Sequence, residues 1–220
     1  FDPNGEFESL NDGDTATTQL AVTIADIAEN TNTQTVMATV TGVDDPPILT
    51  TSSGKSSYTT ASSGVGVDDN LTVTDIDGGT LNGARVSIDS GFEPTEDTLS
   101  YNSTVANNRS LSGEYDAGLG ILTFTGSASL ADVQAVLRTV TYDNRESVPT
   151  EAAREIMFTL GSGGPSSVLS SKSSSMSGQR SMTIAIVPEV VHITRSGTQN
   201  PTSSNSVRFN LTFSEPVTGV

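Results

Sequence analysis

Carboxylates are the residues of this chain best placed to do chemistry. Asp75 and Asp77 alternate in "TDIDGG", and Asp44 and Asp45 are adjacent in "VDDPP". A further acid, Asp26, closes the apolar run of "TIADIA". Ca²⁺ takes about six to eight oxygen ligands, mostly carboxylates and carbonyls, at roughly 2.3–2.6 Å. An Asp-x-Asp where a strand ends and turns puts two carboxylates close together, as such a site needs. The plain alternative is turn chemistry, since Asp favours turns by bonding its own backbone.

Other chemistries fail on their residue requirements. There is no Cys, which removes disulfides, thiolate zinc sites and a thiol nucleophile. The sole histidine, His192, supports neither a zinc site nor a Ser-His-Asp triad. "DIDGG" is not an EF-hand loop, because Val86 stands where the bidentate Glu belongs. "GVGVDDN" is a single turn of a glycine-rich calcium roll, with no second turn to stack on. "IDSG" at 88–91 matches the aspartic-protease triplet, but a second triplet to share the proton is absent. No glycine-rich loop precedes a helix to cradle phosphate. The chain therefore reads as non-enzymatic. With a net charge of −16 and an isoelectric point near 4.1, it has no basic stripe for nucleic acid or an anionic membrane. Such acidity suits solubility and divalent cations. No apolar run reaches the ~20 residues that span a bilayer, and the one around Met182–Val187 stops at Pro188.

The elements that must position these acids are strands. Leu20, Val22 and Ile24 alternate with Ala21, Thr23 and Ala25, and Val36, Ala38 and Val40 follow the same period after the turn "AENTNT". That pattern predicts a hairpin with one buried face. The same period recurs at Leu71–Val73, Ala84–Ile88, Leu122–Phe124, Val140–Tyr142, Ile156–Leu160, Met182–Ile186 and Val207–Phe213. Many short strands punctuated by Gly, Asp and Asn predict an all-β fold of antiparallel sandwiches. One stretch differs. "SLADVQAVLR" places Leu130, Val133, Val136 and Leu137 at helical spacing, with Ser129 as cap and Asp132 three residues on. One short helix is expected there. The Ser-rich segment 161–181 is expected to be a flexible hairpin loop between strands 155–160 and 181–187. Sequons at Asn70, Asn102, Asn108 and Asn210 are no more than chance supplies in a chain so rich in Asn, Ser and Thr.

Prolines mark two junctions, at "VTGVDDPPIL" and "IAIVPEVVHI". A strand, then Pro, then a new β run is how tandem β domains are joined, since Pro stiffens the link and blocks continuation. Residues 1–46 are expected to be the C-terminal part of one repeat and 188–220 the N-terminal part of another. Only 47–187 is long enough for a complete sandwich.

These residues carry a resemblance. "FDPNGEFESLNDGDTATTQLAVTIAD" with "TVMATVTGVDDPP" resembles the end of a VCBS-type, cadherin-like repeat of giant surface adhesins. "VDDNLTVTDIDGGTLNGARVSI", "EDTLSY", "GILTFTG" and "LADVQAVLRTVTYDN" are similar to another cadherin-like repeat, and "NSVRFNLTFSEPVTGV" resembles the start of a bacterial Ig-like repeat. The resemblance implies tandem Ig/cadherin-like sandwiches and a Ca²⁺ cofactor. It matches Asp44 and Asp45 to the linker acids, Asp75 and Asp77 to the Asp-x-Asp, and Asp26 to the late-strand Asp that serves the preceding joint. The chain departs from the pattern in its shortened linker and in lacking recognisable upstream ligands. At the second junction only Glu189 remains, so metal is expected at the first joint alone.

The resulting expectation is a structural, adhesive segment of an extracellular, cell-surface protein. Its partners would be neighbouring repeats of the same protein, other surface proteins or glycans, with neither nucleic acid nor membrane insertion. The alternatives are a carbohydrate-binding or accessory module of a secreted enzyme, or a filament subunit completed by neighbouring chains. The low aromatic content, 5%, disfavours the carbohydrate module.

Overall fold

The computed structural model describes residues 6–10, 12–43, 45–60, 62–150, 152–161, 177–188, 190–196, 207–214 and 216–218. The chain is mostly strand. An N-terminal hairpin pairs β1 (Thr15–Ala25) with β2 (Thr31–Thr41). Next come β3 (Ile48–Thr50), β4 (Ser56–Thr59), β5 (Val65–Gly66), β6 (Thr72–Thr74), β7 (Thr80–Leu81), β8 (Ala84–Ser90) and β9 (Asp97–Ser100). A short helix α1 (Ser103–Asn107) leads to β10 (Ser112–Asp116), β11 (Ile121–Thr125) and β12 (Ala128–Ser129). Helix α2 (Leu130–Leu137) precedes β13 (Thr141–Asn144), β14 (Arg154–Leu160) and β15 (Ser177–Ala185). A C-terminal hairpin pairs β16 (Val190–Ser196) with β17 (Arg208–Phe213).

One hydrophobic core forms between 49 and 184. A six-stranded sheet in the order β10-β11-β8-β14-β15-β4 supplies Val86, Leu122, Phe124, Ile156, Phe158 and Met182. The smaller sheet β5-β13-β9 supplies Leu99 and Tyr142, and α2 adds Val133, Val136 and Leu137. Period-two burial explains the match between pattern and core. In β14, Arg154, Ile156, Phe158 and Leu160 are buried while the residues between them are half-buried. Tyr58 of β4 meets Tyr142 edge to face, with ring centroids 5.3 Å apart. A close approach fixes Gly91, with φ of +74°: a Cβ there would lie 2.3 Å from the Ala153 carbonyl oxygen.

Helix α2 forms where expected. The Ser129 hydroxyl accepts the Asp132 N–H at 3.2 Å and donates to the Asp132 carboxylate at 2.7 Å.

Several expectations need correction. Among the described residues there are two helices, not one. Helix α1 has only five residues, too short to show a helical period, and rests on the Asn102 side chain accepting the Val105 N–H at 3.0 Å. The sheets are not wholly antiparallel, because β15 pairs with β4 in parallel. That direction follows from long-range bonding: Thr60 N–H donates to the Ala185 carbonyl, and Val187 N–H donates to the Thr60 hydroxyl. The Ser-rich segment is partly strand. Residues Ser177–Ser181 belong to β15, since their backbone continues the ladder with β14 and Arg180 donates to the Ser52 and Ser53 carbonyls. Residues 162–176 of that expected loop lie outside the described residues. The N-terminal hairpin has its alternation, but no described residue covers its apolar face: Val22 and Ile24 are 52% and 66% exposed.

Candidate functional site

Asp45 is positioned by the register of β3 on β6. Ile48 lies opposite Thr74 and Thr50 opposite Thr72. Extending the same antiparallel register toward the linker sets Asp45 opposite Asp77. The Asp45 N–H accordingly donates to Asp77 Oδ2 at 2.6 Å. Pro46 and Pro47 lie between this contact and β3, where their fixed φ angles stiffen the approach.

Asp75 and Asp77 form a tight turn after β6. The Asp77 N–H donates to Asp75 Oδ1 at 3.1 Å, the local bonding that favours Asp in turns. Gly78 and Gly79 follow with φ of +77° and +106°, a region Gly enters without strain. Asp45, Pro46, Ile48, Thr74, Asp75 and Ile76 line an open hollow of about 470 Å³. Asp77 Oδ1 is buried and has no hydrogen-bond partner among the described residues. A buried carboxylate oxygen in that condition costs free energy unless a proton, a donor or a cation reaches it.

The structure thus brings Asp45, Asp75 and Asp77 together at the start of the core-bearing segment. Asp44 lies outside the described residues. Among the described residues, no three Asp, Glu or His side chains converge at metal-ligand spacing. Asp26 is elsewhere. It closes the far end of the hairpin, whose ten register steps from Thr15 to Ala25 span about 33 Å. Its carboxylate is engaged by its own turn, accepting the Asn30 side-chain amide at 2.9 Å and the backbone N–H groups of Ala28 and Asn30. The Asn30 bonds chiefly hold its pKa below the ordinary carboxylate value.

A second polar constellation was not singled out from the sequence. Arg154 is fully buried, and its Nε donates to Asp97 Oδ2 at 2.8 Å. Its other nitrogens reach Glu96 Oε2 at 3.2 Å and the carbonyls of Thr150 and Ala152. Tyr142 and the Asn144 amide donate to Asp97 Oδ1, and Thr150 donates through both backbone and hydroxyl to Glu96. Burial pushes the Tyr142 hydroxyl pKa far up, with the Asp97 bond adding to it. At Glu96 burial alone would raise the pKa, but the Thr150 and Asn144 bonds and the Arg154 charge bring it below the ordinary value. The group fastens the segment before β14 to β9. Parity could have revealed it, since Arg154 shares the inward parity of Ile156 and Phe158, and Asn144 that of Tyr142.

No protein-family model matches the chain. It is similar to halomucin of Haloquadratum walsbyi (strain DSM 16790 / HBSQ001), with 43% identity over 164 residues. That match covers 73% of this chain and 2% of halomucin, so the chain spans a very small part of the relative's length. No helix among the described residues is long and apolar enough to cross a membrane.

Proposed function

We propose that this chain is a structural spacer of a large extracellular, cell-surface protein, in which cadherin-like and Ig-like β-sandwich repeats follow one another and calcium tightens the first joint. The observation that supports it best is the match to 2% of halomucin, a segment-sized likeness to a far longer protein. In this reading 47–187 is a complete repeat, and the flanking hairpins belong to repeats completed by the same polypeptide. The apolar faces at Val22 and Ile24, and at Val191, Ile193 and Phe209, are then covered by adjoining strands. Adhesion through neighbouring repeats, other surface proteins or glycans follows from the same assignment, and no catalysis is ascribed to it.

The calcium part draws support from the linker geometry. Asp45, Asp75 and Asp77 gather within the roughly 8 Å screening length of physiological salt, so their charges repel across the joint. A cation turns that repulsion into shared ligation and supplies Asp77 Oδ1 with the partner it lacks among the described residues. With an affinity of about 10⁻⁴–10⁻³ M, as in extracellular modules, 10 mM Ca²⁺ stabilises by roughly 1.4–2.7 kcal/mol. The 220-residue chain should then melt roughly 3–10 °C higher in 10 mM Ca²⁺ than in chelator. Asp75→Ala combined with Asp77→Ala should abolish the difference. Identical melting curves of the unaltered chain in Ca²⁺ and chelator would reduce the acids to turn chemistry.

A further inference from the structure

We propose that Asn70, Asn102 and Asn108 are N-glycosylation sites that together form one glycan patch around α2, an inference that rests on the extracellular reading above. Each begins an Asn-x-Ser/Thr sequon: Asn70 with Thr72, Asn102 with Thr104 and Asn108 with Ser110. Sequon frequency alone gives no reason to assign them. The fold does, in two respects.

The first is access. All three Asn residues are exposed, and so are the hydroxyl residues two positions on, Thr72, Thr104 and Ser110. A transferase must reach both groups. The intervening Leu71 is fully buried, so that sequon is anchored in the core while its reactive ends face outward. The side-chain bonding of Asn102 and Asn70 also tolerates a sugar on Nδ2. Asn102 caps α1 through Oδ1, which the modification leaves intact. Asn70 donates one Nδ2 hydrogen to Asp69 at 2.9 Å, and the linked amide keeps one hydrogen for that bond.

The second is convergence. The sequons are separated in sequence but meet along α2. Arg138, the C-cap of α2, donates to the Leu71 carbonyl at 2.8 Å, placing Asn70 there. The Thr139 hydroxyl accepts the Asn102 N–H at 3.2 Å. Arg109, next to Asn108, pairs with Asp132 in the first turn of α2 at 3.3 Å. An eight-residue helix is about 12 Å long, which sets the scale of the patch. By contrast, Asn210 lies mid-strand in β17, opposite Thr194, and is no part of it.

The transfer uses a lipid-linked oligosaccharide as donor. The Asn Nδ2 attacks the anomeric carbon, an N–C bond forms, the bond from that carbon to the lipid phosphate oxygen breaks, Nδ2 loses a proton to a base, and the lipid phosphate leaves. The test is peptide mass spectrometry on the full chain secreted by the cells that produce it, against the same chain from a host without such a transferase. All three Asn peptides should carry an added oligosaccharide mass that survives alkaline elimination of Ser- and Thr-linked sugars. Thr72→Val, Thr104→Ala and Asn108→Gln should each remove one glycan's mass, and Thr104→Ala does so without touching the Asn102 cap. Modification at fewer than three sites overturns the patch, as does a variant that keeps its glycan. Protease shaving of intact cells separates the two readings. Surface-located protein with unmodified peptides sinks the patch alone, and protein found only inside with unmodified peptides sinks both.

Discussion

At the scale of residues, the strongest commitments lie in the buried polar group around Arg154. A guanidinium removed from water must have partners, and it has two carboxylates and two carbonyls. Truncating one member leaves the others buried without compensation. Arg154→Leu should therefore cost about 3–5 kcal/mol in chemical denaturation, far more than a surface substitution. A loss below about 1 kcal/mol would show that the group is solvated in solution. The same cluster sets a pH dependence. The folded Glu96 pKa lies below its ordinary value of 4.5, so its contribution to stability is fully present above that value and is lost as pH falls through the lower folded one. Stability should fall as the pH drops below about 4.5, and Glu96→Gln should be less stable at pH 7 but flatter in that acidic range. Parallel pH profiles for the two proteins would remove Glu96 from the account.

At the scale of elements, local and non-local information part company. The cap of α2 is local: Ser129, Asp132 and the apolar spacing all lie within ten residues, and the helix forms there. Ser129→Ala should cost about 1 kcal/mol, because the Asp132 N–H loses its acceptor. An unchanged denaturation midpoint would mean water replaces the cap without loss. Strands β8, β11 and β14 were legible for the same reason, as their period of two is written in adjacent residues. The misses needed information from elsewhere. The parallel direction of β4 on β15 is decided by contacts across more than a hundred positions of chain. The start of β15 at Ser177 is set by its ladder to β14, which no composition of Ser, Gly and Gln reveals. The linker site was half legible. Asp75 and Asp77 could be picked by spacing, whereas the contact of Asp45 with Asp77 depends on the β3–β6 register. The Arg154 group was visible only to someone willing to let parity override polarity.

At the scale of the whole molecule, apolar residues are distributed unevenly. The core-bearing middle buries its inward positions almost completely, while the two hairpins hold apolar faces that no described residue covers. Val191 and Ile193 of β16 are 64% and 59% exposed. A two-stranded ribbon with an open apolar face is marginal in water, since three strands or a covering layer are needed for independent stability. Local opening should then cost little in the hairpins and close to the global free energy in β8 and β14. Amide hydrogen exchange on the 220-residue chain should be fast across Thr15–Thr41, Val190–Ser196 and Arg208–Phe213, and slow in Ala84–Ser90 and Arg154–Leu160. If adjoining strands of a longer polypeptide cover those faces, extending the chain through one further repeat at each end should slow exchange in both hairpins by orders of magnitude. The middle strands should change little, because their partners are already present. Hairpins that exchange as slowly as β14 in the 220-residue chain would mean the ribbons are stable alone. Hairpins that stay fast in the extended chain would mean their faces are not repeat cores, and the apolar surfaces at Val22, Ile24, Ile193 and Phe209 would need a partner from another molecule.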